Sequence, residues 1–131
     1  MKKALAEKLL FFSGMTAVKW RSLPRALYCF NYHRVGNRTA TLYDRDVFSC
    51  TGDQFRQHVL LIQERFDLVN LDRLLFLLRH GDADGKPLAL LTFDDGYVDN
   101  FEIAFPILCE LGASAVFFLP TAFIGTRHVP W

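Results

Sequence analysis

The run Leu88-Ala89-Leu90-Leu91-Thr92-Phe93-Asp94-Asp95-Gly96-Tyr97 constrains this chain more than any other stretch. An apolar segment of that length, introduced by Pro87, reads as a strand buried on both faces. Two adjacent carboxylates follow it and a glycine comes next. In α/β proteins such a strand delivers its last side chains into the crevice where ligands bind. Neighbouring acids there repel each other and lose water, so a metal ion, a bound cation or a shared proton must compensate them. A helix cap on one carboxylate and a solvated role for the other is the plainer alternative.

With 131 residues, 51% hydrophobic and 22% charged, the chain is long enough for one domain with its own core and is not of disordered composition. A formal net charge of +1 gives no argument for a nucleic acid or an acidic partner. The 13 phenylalanines point to a bulky core or to a surface awaiting a partner. Cys29, Cys50 and Cys109 have no metal-type spacing, and Cys29 and Cys109 lie in apolar stretches that predict small core residues and a reducing compartment. Met1-Lys2-Lys3 and the apolar stretch to Phe12 superficially resemble an export signal. Glu7 and Lys8 interrupt it, so an amphipathic helix is expected, with the cytoplasm or a membrane periphery as the place of action. No segment reaches the ~20 apolar residues of a membrane span.

Strands and helices alternate along the chain, the pattern of a parallel sheet or barrel. Arg25 to Val35 reads as the first strand, and residues 36–50 as a long polar loop. Thr51 and Gln54 form a capping box, and the helix after them puts Phe55, Val59 and Ile62 on one face. Phe66 to Leu71 is the second strand. Asp72 is placed to cap a helix through Arg79, which Gly81 ends. After the third strand, Pro87 to Phe93, Pro106 sets a helix over about Phe105 to Leu111. Gly112 stops that helix, and Ala113 to Pro120 is a fourth buried strand. The last residues follow directly on this strand with no covering helix, so the sequence reads as the N-terminal part of a larger domain. A small four-stranded domain is the alternative.

Three segments together resemble the polysaccharide deacetylases, carbohydrate esterase family four, also called the NodB homology domain. Leu91-Thr92-Phe93-Asp94-Asp95-Gly96-Tyr97 resembles the first motif of that family. Tyr32-His33-Arg34-Val35 is similar to its Tyr-His-x-Val signature, and Phe117 to Gly125 to its next barrel strand and exit loop. The resemblance covers about residues 26–131 and divides the chain into a helical arm, residues 1–24, and an incomplete deacetylase domain, residues 25–131. It implies the N-terminal portion of a distorted (β/α) barrel and a metal-dependent hydrolase that removes N-acetyl groups from amino sugars of a polysaccharide.

The resemblance also implies roles. Asp94 would be the general base and Asp95 a ligand of a divalent metal, usually zinc. His33 would either protonate the leaving amine or support the metal site as a hydrogen-bonded structural residue. Tyr97 would line the substrate groove or serve packing. An amide carbonyl needs polarising and its oxyanion stabilising, which a metal ion does, and a carboxylate beside it stays ionised to accept a proton.

Against this stands a departure. The family completes its metal site with a His-Ser/Thr-x-x-x-His motif, and His33, His58, His80 and His128 do not form that pair. His58 and His80 fall on helices as surface residues, and His128 lies in the last loop. One carboxylate does not hold zinc, whose catalytic sites take three protein ligands. The chain alone is therefore expected to bind metal poorly and to be inactive, and a non-catalytic fragment or binding module of the same fold is the competing reading. Asp44-Arg45-Asp46 reads as a solvated loop rather than a nucleotide-sugar site. A phosphotransfer receiver is excluded by the pair's place after the third strand, and by the lack of an Asp ending the fourth.

Overall fold

The structure is a computed structural model that describes residues 23–81 and 85–127. Its centre is a four-stranded, fully parallel sheet. Strand β1 (Leu27–Tyr32) precedes a two-stranded parallel ribbon of β2 (Arg34–Val35) and β3 (Phe48–Cys50). Helix α1 (Gly52–Arg65), strand β4 (Asp67–Leu68) and helix α2 (Leu71–His80) follow. Then come strand β5 (Leu88–Phe93), a π-helical turn (Asn100–Ala104), helix α3 (Phe105–Glu110) and strand β6 (Ala115–Phe117). Strand β1 pairs with β5 along its whole length, from Leu27 opposite Leu88 to Tyr32 opposite Phe93. The other edge of β5 is shared: β4 takes its first residues and β6 its last.

The continuous apolar run of β5 follows from cover on both faces. Ala89, Leu91 and Phe93 point into a core with Phe55, Val59 and Ile62 of α1 and Leu108 of α3. Leu90 points the other way, to Leu74 and Leu77 of α2 and to Val69. Alternation by two along a strand sends consecutive side chains to opposite faces, so only a doubly covered strand is apolar throughout.

Helix α1 begins as its sequence dictates: the Thr51 side chain accepts from Gln54 N–H and Gln54 reciprocates to the Thr51 backbone. Helix α3 ends in a Schellman arrangement. Gly112 adopts φ +59°, Gly112 N–H donates to Cys109 O at 3.2 Å, and Ala113 N–H donates to Leu108 O at 2.9 Å.

Several expectations need correction. The first strand breaks at His33, and the segment 36–50 is not all loop, since its last residues form β3 beside β2. That ribbon is too short to show a two-residue period in the sequence. The second strand keeps only Asp67 and Leu68, because the Asn70 side chain caps α2 by accepting from Arg73 N–H at 2.8 Å. Asp72 lies inside the first turn instead of capping it.

The helix carrying Pro106 begins at Phe105 as expected, but a π-helical turn leads into it, with Phe105 N–H donating to Asn100 O. A proline lacks the N–H of the next rung and crowds the carbonyl four residues back, and a π-turn relieves both. The fourth strand shortens to Ala115–Phe117 and is only half-buried. Cys29 and Cys109 are exposed, and Cys50 is the buried one. On β1 the residues Tyr28, Phe30 and Tyr32 take the core face, which leaves Cys29 on the other.

The expected N-terminal helix and His128 lie outside the described residues. Among those described, no helix is long and apolar enough to cross a membrane.

Candidate active site at the end of the central strand

The strand β5 ladder continues one residue beyond Phe93, because Asp94 N–H donates to Tyr32 O at 3.0 Å. The chain then turns sharply through two left-handed residues, Asp95 at φ +70° and Gly96 at φ +63°. Aspartate is among the side chains that tolerate this region. At Gly96 a Cβ would crowd only the end of the exposed Leu119 side chain, at 2.9 Å, so it is the conformation that calls for glycine. The consequence is that Asp94 and Asp95 leave the strand in different directions yet stay at the same mouth.

Asp94 is held from β1. Asn31 Nδ2 donates to Asp94 Oδ2 at 2.8 Å, and the Asn31 carbonyl oxygen accepts from Thr92 Oγ1 at 2.8 Å. The relay from Thr92 through Asn31 to Asp94 fixes the amide's orientation, since only one end of an amide donates. His33, at the break between β1 and β2, faces the pair: its Nδ1 lies 3.3 Å from Asp95 Oδ2 and 3.9 Å from Asp94 Oδ2. The three side chains are 41%, 35% and 31% exposed for His33, Asp94 and Asp95, an open cleft reached by solvent from one side. The Nδ1 atom is itself buried and has no well-aligned hydrogen bond, so its contact with Asp95 is one of charge and proximity.

Sequence reasoning thus named three residues that the fold brings together. Tyr97 stands beside them in a different manner. Its ring lies under the Arg34 guanidinium, 4.8 Å from centroid to Cζ, and its hydroxyl donates to Asp44 Oδ2 at 3.3 Å. Asp44 is accordingly not merely solvated: its carboxylate anchors Tyr97. The ring of Tyr97 also borders an apolar cavity of about 360 Å³ shared with Phe101, Phe105, Phe117 and Leu119. His58 and His80 are exposed on their helices as expected, His58 within 3.3 Å of the Tyr32 hydroxyl and His80 against Phe76 O at 2.9 Å.

Arg34, Asp99, Asn100 and Ser49 were missed as parts of the site. Asp99 accepts from Arg34 Nε at 2.8 Å and from Val35 N–H at 3.1 Å. Asn100 Nδ2 donates to His33 O at 2.6 Å, and Ser49 Oγ accepts from His33 N–H at 3.2 Å. Arg34 lies inside the Tyr-His-x-Val motif, and Asp99 and Asn100 lie just after the acidic one, whereas Ser49 carried no signal in the sequence.

A divalent metal is the group that the fold family implies. Among the described residues no group of three or more His, Cys, Asp or Glu side chains is arranged to hold one. The His33–carboxylate distances are those of an ion pair rather than of shared coordination, so these residues alone do not fit a zinc site.

Residues 81–129 match the family model for polysaccharide deacetylases. Over this segment the chain is similar to polysaccharide deacetylases. The Bacillus subtilis (strain 168) protein YxkH, which bears the name of a polysaccharide deacetylase, is 44% identical over 48 residues. That match takes in 34% of this chain and 17% of YxkH.

Three solved structures share the fold. The de-N-acetylase of Aggregatibacter actinomycetemcomitans superposes with a TM-score of 0.65 at 20% identity, over 80% of this chain and 42% of that one. IcaB of Ammonifex degensii gives 0.63 at 22% identity, over 80% of this chain and 44% of that one. Streptococcus pyogenes deacetylase PplD, solved with acetate, gives 0.57 at 21%, over 80% of this chain and 47% of that one. The chain spans less than half the length of these structures. Its α/β arrangement of parallel strands has the fold of part of those structures.

Proposed function

We propose that this chain carries the acidic half of the active site of a metal-dependent hydrolase that removes N-acetyl groups from the amino sugars of a polysaccharide. The observation that supports it is the meeting of His33 with Asp94 and Asp95 at the end of β5, the two carboxylates lying inside the matched segment 81–129. In this reading Asp94 accepts the proton of the attacking water, with Asn31 holding one of its oxygens so that the other is presented to the cleft. Asp95 supplies one carboxylate to a divalent metal, zinc by analogy, whose remaining ligands are not among the described residues. Such a metal, held in part by Asp95, would supply polarisation of the amide carbonyl and stabilisation of its oxyanion. His33 supports Asp95, the carboxylate nearest its Nδ1. The aromatic rim formed by Tyr97 is a groove wall for the sugar rather than a chemical group. The chain by itself is inactive, and its polymer partner is an N-acetylated polysaccharide or oligosaccharide.

Calorimetric titration with zinc, together with acetate release from a chitooligosaccharide, tests the proposal. The chain alone should show neither micromolar affinity nor turnover. A chimera that joins it to the downstream part of a polysaccharide deacetylase should show both. In the chimera Asp95→Asn should weaken zinc binding, whereas Asp94→Asn should abolish turnover and leave zinc bound. Micromolar zinc binding by the chain alone, or full turnover by the Asp94→Asn chimera, overturns the assignment.

A further inference from the structure

Asp99 and Asn100 lie five and six residues after Asp94, are only 6% and 3% exposed, and belong to neither motif that named the site. Both reach back to the break between β1 and β2. Asn100 Nδ2 donates to His33 O at 2.6 Å. The Asp99 carboxylate accepts from Val35 N–H at 3.1 Å with one oxygen and from Arg34 Nε at 2.8 Å with the other. Arg34 is fixed in turn between rings, its Cζ 4.2 Å from the Phe48 centroid and 4.8 Å from that of Tyr97, with Nη1 donating to Tyr43 O at 3.1 Å. Two consecutive side chains therefore grip three consecutive residues, from the His33 carbonyl through Arg34 to the Val35 amide.

The cost of this arrangement is visible. Asn100 Oδ1 is buried with no hydrogen-bond partner among the described residues. A buried amide with an idle oxygen is worse for stability than an apolar side chain of the same shape. Its donor end is the part that serves, and that end goes to His33. The main chain at Asn100 opens the π-helical turn, and such turns re-aim the side chains they carry.

We propose that Asp99 and Asn100 are positioning residues that set the place of the His33 imidazole against Asp95. They act through the His33–Val35 main chain and touch no reacting atom. The inference rests on the functional reading above only for its consequence in catalysis; the grip itself is tested without any turnover assay.

Amide exchange of Val35, followed by NMR in the unsubstituted chain, is the first arm. The amide should exchange slowly, like those of β5, because its acceptor is a buried carboxylate. In Asp99→Asn its protection should fall about tenfold, the equivalent of ~1.4 kcal/mol. The second arm is acylation of histidines by diethylpyrocarbonate at fixed pH, read by mass spectrometry. In Asn100→Ala, His33 should react about fivefold faster, the factor that a lost hydrogen bond is worth. His58 and His80 should keep their rates and report that the fold is intact.

An unprotected Val35 amide in the unsubstituted chain overturns the proposal even if both variants fail to fold. An unchanged His33 rate in folded Asn100→Ala, or a uniform rise at all three histidines, does so as well. A confirmed grip in a chain whose chimera never releases acetate would count against the function alone.

Discussion

Replacing Phe93 by alanine should remove the support under the acidic pair. The ring is 1% exposed and meets three others: Tyr32 stacked at 5.4 Å, Phe117 stacked at 4.8 Å, and Phe55 edge-on at 5.5 Å. These contacts join β1, β5, β6 and α1, so the side chain is the point where four elements share one packing unit. Truncating such a phenylalanine costs ~3–5 kcal/mol through lost burial and an incompletely collapsed cavity. The upper half of that range applies, since each aromatic pair adds ~0.5–1.5 kcal/mol beyond its area. A domain of this size holds only ~5–15 kcal/mol in all, so the loss is a large share.

With a urea slope of ~2 kcal/mol per molar, a change of ~4 kcal/mol lowers the midpoint by about 2 M. Phe93→Leu keeps most of the volume and should cost ~1–1.5 kcal/mol. The assay is urea unfolding followed by far-ultraviolet circular dichroism on all three chains. A midpoint for Phe93→Ala within about 0.5 M of the parent would refute the reasoning, because ~1 kcal/mol is what a tolerant, peripheral site loses.

Alkaline pH should unfold the protein in a definite window. Burial pushes the Tyr32 phenol up to about 12, with repulsion from Cys50 adding to it, and pushes the Cys50 thiol up to about 11. The unfolded chain gives up these protons first, near 9 for the thiol and 10 for the phenol, so the stabilisation is complete below pH 9 and lost as pH rises to about 12. Thermal melts from pH 8 to 12 should show the decline, and a flat profile would contradict it. At neutral pH iodoacetamide should label Cys29 and Cys109, which are exposed, well before Cys50; equal rates by mass spectrometry would refute this. Gly112→Ala should cost ~1 kcal/mol, a pure φ penalty since its Cβ would meet nothing within 4 Å, measured by the same urea assay. Gly96→Ala should cost more, because Leu119 Cδ2 must also move.

The parts of this fold that were legible in the sequence are those specified within a few residues. Thr51 and Gln54 announce a helix start because both capping bonds span three residues. The run from Leu88 to Phe93 announces a doubly covered strand because no polar side chain other than the hydroxyl of Thr92 interrupts it. The acidic pair was legible for the same reason. Its surroundings were not: Asn31 reaches Asp94 across 63 positions, and Asn100 reaches His33 across 67. Periodicity carries no information on such contacts. Short elements failed likewise, as β3 did, since three residues do not establish an alternation. The misplacing of Cys29 was a fault of a different kind, an apolar stretch taken as a sign of burial when one face of β1 is open.

The break at His33 has a mechanical consequence. Asp94 and Asp95 hang from β5 in the large sheet, whereas His33 O and the Arg34–Val35 segment are tied to the small ribbon and to Asp99 and Asn100. The gap between imidazole and carboxylate is thus a gauge of how the two sheets sit against each other. A sliding of the ribbon by even an ångström, driven from the Arg38–Val47 side, would change that gap without altering a single side chain in the cleft.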